Sequence, residues 1–446
     1  MVELSLPENG PLTGPSVVSE LMPDAHSVSV GVWVAVGGRD EDPSMSGASH
    51  FLEHLLFKGT ERRTARAIAE LVDSSGGEMN AFTSKEYTAY YARVPAGGQE
   101  MATSLLVDVL REPALRAADV ETERQVILEE IHLQADDPDD VVFGLLYEAL
   151  FPEHPLGREV LGTESSVAAI DRDDIVGFHD HWYRAPNLVV AAAGAVDHDA
   201  LVAQVAEAFS GRTGGAAPVR VAPVTEPVAA ERLTRPTEAT HVAWGWRGLR
   251  RDDPRRHALA LGIHVLGGGL SSRLFQTVRE ERGLAYSVFS SMAGYTGAGV
   301  VSVYAGTAPE RADELQKVVA GQVAEVACNG ITAAELAIAR DGFEGSILLG
   351  LEDSGSRMFR LGTSQSLLGR VVPLDEYVET LRAVTLEDVN AVLEIRKDPD
   401  RIGDRCHFRR TRLDPGGRSR TGEELLPRRF FTRVTGDPDI LPVQSV

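Results

Sequence analysis

The order of apolar patterns along the chain repeats once, and this repeat limits the folds that the sequence can form. In each half a strand is followed by two helices, two further strands and long helices. The strands and short helices of the first half are predicted at 27–37, within the segment 47–60, and at 64–77 and 79–94. Those of the second half are predicted at 241–248, 257–268, 269–283, 285–295 and 299–307. The repeat predicts an α+β fold built from two homologous, α/β-sandwich-like domains, a duplicated unit.

A segment between the two halves divides the chain. Residues 211–227, GRTGGAAPVRVAPVTEP, are rich in Gly, Pro and Ala and show no helical period, which is typical of a linker. A chain of 446 residues is also too long for a single hydrophobic core. The sequence predicts an N-terminal domain at 1–212, a linker at 213–227, a C-terminal domain at 228–395 and a divergent tail at 396–446.

The two halves differ where they end. In the first half a helix at 171–184 leads into the apolar run 187–197, which predicts a central strand. The second half reaches the matching point near residue 395 and continues instead as RKDPDRIGDRCHFRRTRLDPGGRSR, a basic stretch rich in Gly and Pro. No buried strand is predicted in that stretch, and we expect a poorly ordered tail.

The run His50-Phe51-Leu52-Glu53-His54 carries the strongest chemical signal of the sequence. Histidines four residues apart lie on one face of a helix and can hold one metal ion from the same side. Glu53 is close enough to hold a water molecule at that metal and to accept its proton. The order H-x-x-E-H is the inverzincin motif, the reverse of the commoner H-E-x-x-H of zinc proteases. The alternative is an ordinary helix with one core-facing histidine.

A catalytic zinc takes three protein ligands and leaves a fourth position for water, so the two histidines need a partner. The charged helix ADVETERQVILEEIHLQADDP offers five candidates: Glu121, Glu123, Glu129, Glu130 and His132. We expect the inward face to carry apolar Val126, Ile127 and Ile131, with Glu123 and Glu130 at its border. A carboxylate that faces inward is costly unless it is paired or bound to a metal. Helical periodicity alone does not choose between Glu129 and Glu130.

Composition excludes several classes of function. The net charge of −22 argues against a nucleic-acid partner. The two cysteines, Cys328 and Cys406, provide neither a disulfide framework nor a thiolate metal site. No apolar stretch is long enough to predict a membrane span, and the first residues, MVELSLPENG, do not have the pattern of a secretory signal. These features predict a cytoplasmic protein.

With these residues in place, the chain resembles the pitrilysin-type (M16) zinc metallopeptidases, the group that includes insulin-degrading enzyme and the mitochondrial processing peptidase. The resemblance runs from about Val28 to about Ile395. In that family both histidines of H-x-x-E-H bind zinc, and a glutamate about 76 residues beyond the second histidine is the third ligand. The resemblance implies that this ligand is Glu130. A further family glutamate, seven residues earlier, matches Glu123 and would support the site.

The resemblance also implies residues that bind substrate. The segment MNAFTSKEYTAYY is similar to the family's edge strand, in which Asn80 and Ala81 would hold an extended peptide backbone by strand addition. The segment GGGLSSRLFQTVREERGLAYS is similar to the stretch that carries a family Arg and Tyr seven residues apart. In this chain these residues are Arg279 and Tyr286, which would anchor the substrate carbonyl or stabilise the oxyanion.

Together these features predict a zinc-dependent endopeptidase with one Zn²⁺ per chain, acting on short or unfolded peptides inside a closed chamber. In larger relatives four such domains enclose that chamber. A chain with two domains would need a partner, so we expect a homodimer in which each active site is completed in trans. The alternatives are a non-catalytic subunit and a peptide-binding partner in a hetero-oligomer. The complete set of motif residues favours the enzyme.

Overall fold

The computed structural model describes residues 2–5, 14–210, 214–228, 232–235, 237–394 and 409–414. Its strands are β1 (Val2–Ser5), β2 (Ser16–Leu21), β3 (Ser27–Val34), β4 (Glu78–Thr83), β5 (Thr88–Pro95), β6 (Leu188–Gly194), β7 (Arg232–Thr234), β8 (Thr240–Arg247), β9 (Ser287–Tyr295), β10 (Ala298–Thr307) and β11 (Arg409–Asp414). Its α-helices are α1 (Ala48–Leu56), α2 (Ala65–Ser75), α3 (Gln99–Arg111), α4 (Ala117–Asp136), α5 (Pro138–Leu150), α6 (Glu164–Ala169), α7 (Arg172–Trp182), α8 (His198–Ala208), α9 (Arg256–Gly267), α10 (Ala312–Asn329), α11 (Ala333–Gly350), α12 (Ser354–Leu368), α13 (Leu374–Ala383) and α14 (Leu386–Leu393). Short 3-10 helices lie at Gly38–Asp40, Pro43–Met45, Pro155–Gly157, Ala185–Asn187 and Pro309–Arg311, and a π-helical segment lies at Phe275–Glu280.

Two compact units make up the described part of the chain, and neither is a continuous half of it. Unit 1 consists of the described residues of Met1–His132, Glu159–Val219 and Ser346–Leu374. Unit 2 consists of those of Leu133–Arg158, Arg220–Gly345 and Asp375–Val446. Thus α5 belongs to unit 2, although it precedes the linker, and α12 belongs to unit 1, although it follows the linker. The predicted domains are continuous segments, because sequence order does not show which sheet a helix packs against.

Unit 1 contains a six-stranded mixed sheet with the order β1-β2-β6-β3-β5-β4. Strands β2 and β6 pair in parallel, and the other neighbours are antiparallel. The strands predicted at 27–37, 79–94 and 187–197 are confirmed as β3, as β4 with β5, and as β6. Strand β4 has β5 as its only neighbour among the described residues and lies at an edge of the sheet.

Both faces of the unit 1 sheet are covered, which explains why β3 is apolar almost throughout. Successive side chains of a strand point to opposite faces. Val28, Val30, Val32 and Val34 face the larger core, which includes buried residues of α1, α3, α7 and α8. Trp33 points to the other face, where it packs in a cluster with Met358 and Leu361 of α12. Helix α12 therefore covers the face that the preceding helices leave open.

Unit 2 contains a five-stranded sheet with the order β7-β11-β8-β10-β9. Helices α5, α9, α10 and α14 contribute buried apolar residues to its core. Helix α5 also makes polar contacts with the sheet. The Tyr304 hydroxyl donates a hydrogen bond to Asp139 Oδ1 at 2.5 Å, and the hydroxyls of Tyr147 and Tyr295 are hydrogen-bonded at 2.9 Å. Each unit thus combines one sheet with packed helices, as predicted.

The expectation of a tail without a closing strand is wrong for residues 409–414. These residues form β11, which pairs antiparallel with β8 and parallel with β7. The prediction was wrong because it was based on apolar side chains. Strand pairing depends on backbone N–H and C=O groups, which almost any residue supplies. The predictions for 396–408 and 415–446 lie outside the described residues.

Two further expectations concern the linker and the membrane. Residues 214–228 form neither helix nor strand, as expected of a linker. Within the described ranges, no helix combines the length and the apolar character that crossing a bilayer requires. The cytoplasmic location stays a prediction.

The packing of α12 against the unit 1 sheet can be tested at one glycine. A Cβ atom at Gly362 would come within 2.3 Å of Trp33 Cε3, and Trp33 is fully buried. We therefore expect Gly362→Ala to lower the free energy of unfolding by about 1–3 kcal/mol, the usual cost of overpacking, as measured by denaturant titration.

Gly321 of α10 is the matched control, because a Cβ atom there would meet nothing within 4 Å. Gly321→Ala should raise the free energy of unfolding by about 0.5–1 kcal/mol through helix propensity. If Gly362→Ala were as stable as Gly321→Ala, α12 would not pack as described.

Candidate metal centre

Helix α1 presents a buried apolar side and a partly buried polar side. Phe51, Leu52, Leu55 and Leu56 are buried in the core of unit 1. The opposite side carries His50, Glu53 and His54, which are all half-buried. The helix predicted for H-x-x-E-H is confirmed. Its four-residue spacing places the two imidazoles against each other, with ring centroids 4.6 Å apart.

Helix α4 supplies the carboxylates that face α1. Glu123 and Ile127 are buried, Glu130 is half-buried, and Glu129 is exposed. Val126, expected on the inward face, is instead 40% exposed, so the apolar face of α4 is narrower than predicted. The other two candidates are exposed and have other partners: Glu121 pairs with Arg124, and His132 lies 3.4 Å from Glu164.

The structure brings His50, His54 and Glu130 together. One ligand atom from each residue can be chosen so that all three lie within 4.8 Å of one another. Glu130 Oε2 is 3.6 Å from His50 Nε2 and 3.5 Å from His54 Nε2. Glu129 is the next residue along the helix but lies outside this cluster. The orientation of α4 therefore favours Glu130 over Glu129 as the third ligand, and its binding of a metal stays a prediction.

A second carboxylate orients His54. Glu123 Oε2 is 3.2 Å from His54 Nδ1, and this contact favours the tautomer in which Nδ1 carries the proton and Nε2 keeps its lone pair. Lys58 Nζ lies 2.5 Å from Glu123 Oε1 and balances the buried negative charge. Glu123 thus contacts His54, and its supporting role in the site stays a prediction.

The donor set fits a zinc ion. Burial, reinforced by the neighbouring His54, lowers the pKa of His50 to about 3, so its imidazole is neutral near pH 7. Two neutral imidazoles and a carboxylate then direct lone pairs into one small region, an arrangement that favours a cation. Two histidines and a glutamate form one of the ligand sets of catalytic zinc, and they leave a fourth position for water.

Glu53 lies beside this cluster and is linked to the edge strand. The Thr83 hydroxyl, at the end of β4, donates a hydrogen bond to Glu53 Oε2 at 2.6 Å. Burial raises the pKa of Glu53, and the Thr83 hydrogen bond and the charge of His54 oppose that rise. A carboxylate whose pKa is raised by burial is a stronger base than an exposed one, as a proton acceptor requires.

Asn80 and Ala81 lie in the middle of β4. Asn80 is exposed and Ala81 is half-buried. On the side of β5 they pair with Tyr91 and Tyr90, and on the other side β4 has no neighbouring strand among the described residues. The open edge of an outer strand can accept an extended peptide as an additional strand.

Arg279 and Tyr286 belong to unit 2, where they contact each other. The guanidinium carbon of Arg279 lies 4.6 Å from the centroid of the Tyr286 ring and 4.8 Å from that of Phe275. Arg279 lies in the π-helical segment, and Tyr286 immediately precedes β9. Tyr286 is 81% exposed, so its side chain is accessible to solvent.

Sequence reasoning missed two residues of the site. Lys58, which pairs with Glu123, follows His54 by four residues and could have been found by helical spacing. Thr83, which holds Glu53, lies in the quoted strand segment but has no distinguishing pattern. Its contact depends on how β4 packs beside α1, which local periodicity does not show.

Comparisons with known proteins agree with these features. Residues 16–164 match the family model described as insulinase (peptidase family M16), and residues 169–343 match the one described as peptidase M16 inactive domain. An uncharacterized zinc protease of Mycobacterium bovis is 47% identical over 384 residues, which are 85% of this chain and 88% of that protein. Another, from Bacillus subtilis, is 38% identical over 85% of this chain and 92% of its own length.

Solved structures share the fold. A protease from Helicobacter pylori has a TM-score of 0.82 and 22% identity, covering 93% of this chain and 99% of that one. A peptidase M16 inactive domain from Pseudomonas fluorescens has a TM-score of 0.81 and 22% identity, covering 94% of this chain and all of that one. The predicted α+β fold with two related domains is confirmed.

The assignment of Glu130 over Glu129 can be tested with two neighbouring substitutions. Glu130→Gln removes the charged acceptor nearest to the Nε2 atoms of His50 and His54. We expect zinc affinity to fall by more than about 100-fold, because even the loss of a residue that only orients a ligand costs about 10–100-fold in affinity. Glu129→Gln makes the same chemical change at an exposed position and should leave the affinity unchanged. Competition with a chromogenic chelator measures both, and equal affinities in the two variants would contradict the assignment.

Proposed function

The chain belongs to the M16 peptidase family, and we propose that it is a zinc-dependent endopeptidase that cleaves short or unfolded polypeptides. The observation that carries the proposal is the convergence of His50, His54 and Glu130 on one point, with Glu53 beside it. The names of the relatives, zinc proteases, agree with this chemistry.

His50, His54 and Glu130 would hold one Zn²⁺ per chain. Such an ion supplies an activated water molecule and polarises the peptide carbonyl. Glu123 holds His54 in position. Because the pKa of His50 is low, its imidazole stays neutral and protons do not compete with the metal for it. The protein thus contributes a ligand geometry fixed before the substrate arrives, which limits reorganisation during the reaction.

Glu53 would move the proton. It accepts the proton of the attacking water and then delivers it to the leaving amine as the peptide bond breaks. The Thr83 hydroxyl holds Oε2 of Glu53, so the carboxylate has a fixed orientation during both transfers. Since Thr83 ends β4, the base has a direct link to the strand proposed to bind substrate.

The open edge of β4 would bind the peptide. Asn80 and Ala81 lie on this edge, and backbone hydrogen bonds to an added strand do not depend on the side chains of the substrate. A short or unfolded polypeptide offers such an extended segment along its whole length, whereas most of the backbone of a folded protein is already paired. The proposed substrate class is therefore short or unfolded polypeptides, enclosed in a chamber during cleavage.

Arg279 and Tyr286 would provide the remaining groups. A guanidinium and a phenol are hydrogen-bond donors suited to a substrate carbonyl or to the oxyanion that forms from it. Stacking on Tyr286 restricts the guanidinium of Arg279, and the exposure of the tyrosine leaves its hydroxyl accessible. We propose that these two residues act on the zinc site of a second copy of the chain in a homodimer.

The role of Glu53 is tested by Glu53→Gln, which keeps the size of the side chain and removes the base. We expect hydrolysis of a quenched fluorescent peptide to fall by at least about 100-fold, the usual contribution of a general base, while zinc content stays near one per chain. If the wild-type chain also binds zinc but does not hydrolyse the peptide, the result would instead support a non-catalytic subunit or a peptide-binding partner.

Completion of the site in trans is tested by mixing two inactive variants, Glu53→Gln and the double variant Arg279→Ala/Tyr286→Phe. After random reassociation, half of the dimers contain one chain of each kind, and one of their two sites has only intact residues, so activity should return to about a quarter of the wild-type rate. If each chain completes its own site, the mixture stays inactive. Light scattering on the same samples confirms that dimers are present.

A further inference from the structure

Helix α1, which carries the proposed ligands, begins without a capping side chain of its own. Its N-cap residue is Gly47, with φ of +95°, and no side chain at that position accepts a hydrogen bond. The first N–H groups of a helix have no partner inside the helix. His50 lies within this first turn, so the interactions that fix the start of α1 also fix a ligand.

Glu41 supplies the missing acceptor from a distance of six residues. Its two carboxylate oxygens accept hydrogen bonds from the backbone N–H of Gly47 at 2.8 Å and from that of Ser49 at 2.7 Å. Glu41 is only 4% exposed. A buried carboxylate is costly unless it is hydrogen-bonded, and the positive end of a helix dipole stabilises it further. Because Ser49 directly precedes His50, the carboxylate contacts the backbone next to the ligand.

The segment that carries Glu41 is also fixed to the turn between β4 and β5. Arg39 and Glu86, which are 4% and 0% exposed, form an ion pair at 2.6 Å. Two backbone hydrogen bonds accompany this pair, from Gly38 N–H to Ser84 C=O at 3.1 Å and from Arg39 N–H to Lys85 C=O at 2.8 Å. Residues 38–41 therefore connect the start of α1 with the end of the edge strand.

We infer that Glu41 is a positioning residue of the metal centre. Its carboxylate fixes the first turn of α1 and thereby holds His50 at the distance from Glu130 that metal binding requires. The inference rests on the proposed zinc site and extends it, because Glu41 accepts hydrogen bonds from the backbone at the start of the helix that carries His50. Neutralising Glu41 should shift α1 and weaken the metal site even where the chain stays folded.

The test uses Glu41→Gln in the full chain. The amide keeps one acceptor oxygen, but its NH₂ group would face the second backbone N–H. We expect zinc affinity, measured by chelator competition, to fall about 10–100-fold, as for other residues that orient ligands. The visible absorption spectrum of the Co²⁺-substituted variant should also change, because it reports ligand geometry.

Asp197→Ala is the control for a general loss of stability. Asp197 caps α8 in the same unit by accepting from Ala200 N–H at 3.0 Å, and α8 carries no proposed ligand. We expect Asp197→Ala to lower the melting temperature of the metal-free protein, because the cap is lost, and to keep zinc affinity within about twofold of the wild type. An equal loss of zinc affinity in both variants would overturn the inference, because it would show a general effect of stability.

If Glu41→Gln has the zinc affinity and the Co²⁺ spectrum of the wild type, the inference is also overturned. The proposed function would remain intact. A wild-type chain that binds no zinc would contradict the proposed function itself. If Glu41→Gln fails to fold, Glu41→Asp is measured in its place, since it keeps the charge on a shorter side chain. That variant should bind zinc at least about threefold more weakly than the wild type, and wild-type affinity would again overturn the inference.

Discussion

The candidate site depends on three acceptor atoms that converge between α1 and α4. His50, His54 and Glu130 direct lone pairs to one region, and this convergence is unfavourable unless a cation occupies it. The core packing of α1 and the buried residues of α4 hold the two helices in this arrangement. The same helix carries Glu53, and Thr83 links that carboxylate to the edge strand. The ligands thus lie on α1 and α4, and the Thr83 hydrogen bond connects the base on α1 to the proposed substrate strand β4.

Local periodicity was sufficient to predict one side of the site. The spacing of His50, Glu53 and His54 places them on one face of any α-helix, so their proximity did not require knowledge of the fold. Alternation predicted β3, a continuous apolar run predicted β6, and short runs rich in apolar, β-branched and aromatic residues predicted the strand pairs of both halves. These features depend on neighbours in sequence, and sequence patterns describe such neighbours well.

Features that depend on distant contacts could not be predicted in this way. The choice of Glu130 over Glu129 needs the rotation of α4 against α1, and only the family resemblance supplied it. Strand β11 was missed because backbone pairing with β8 leaves little trace in a basic sequence. The exchange of α5 and α12 between the units was missed because apolar faces show that a helix packs, but not against which sheet.

X-ray absorption at the zinc edge of the purified wild-type chain tests the central claim most directly. The account predicts about one zinc per chain, with two imidazole nitrogens at about 2.0–2.1 Å and oxygen ligands at about 2.0–2.2 Å from the metal. A purified chain that holds no zinc after incubation with the metal, or a spectrum with sulfur ligands near 2.3 Å, would contradict it. Either result would show that His50, His54 and Glu130 do not form the metal centre.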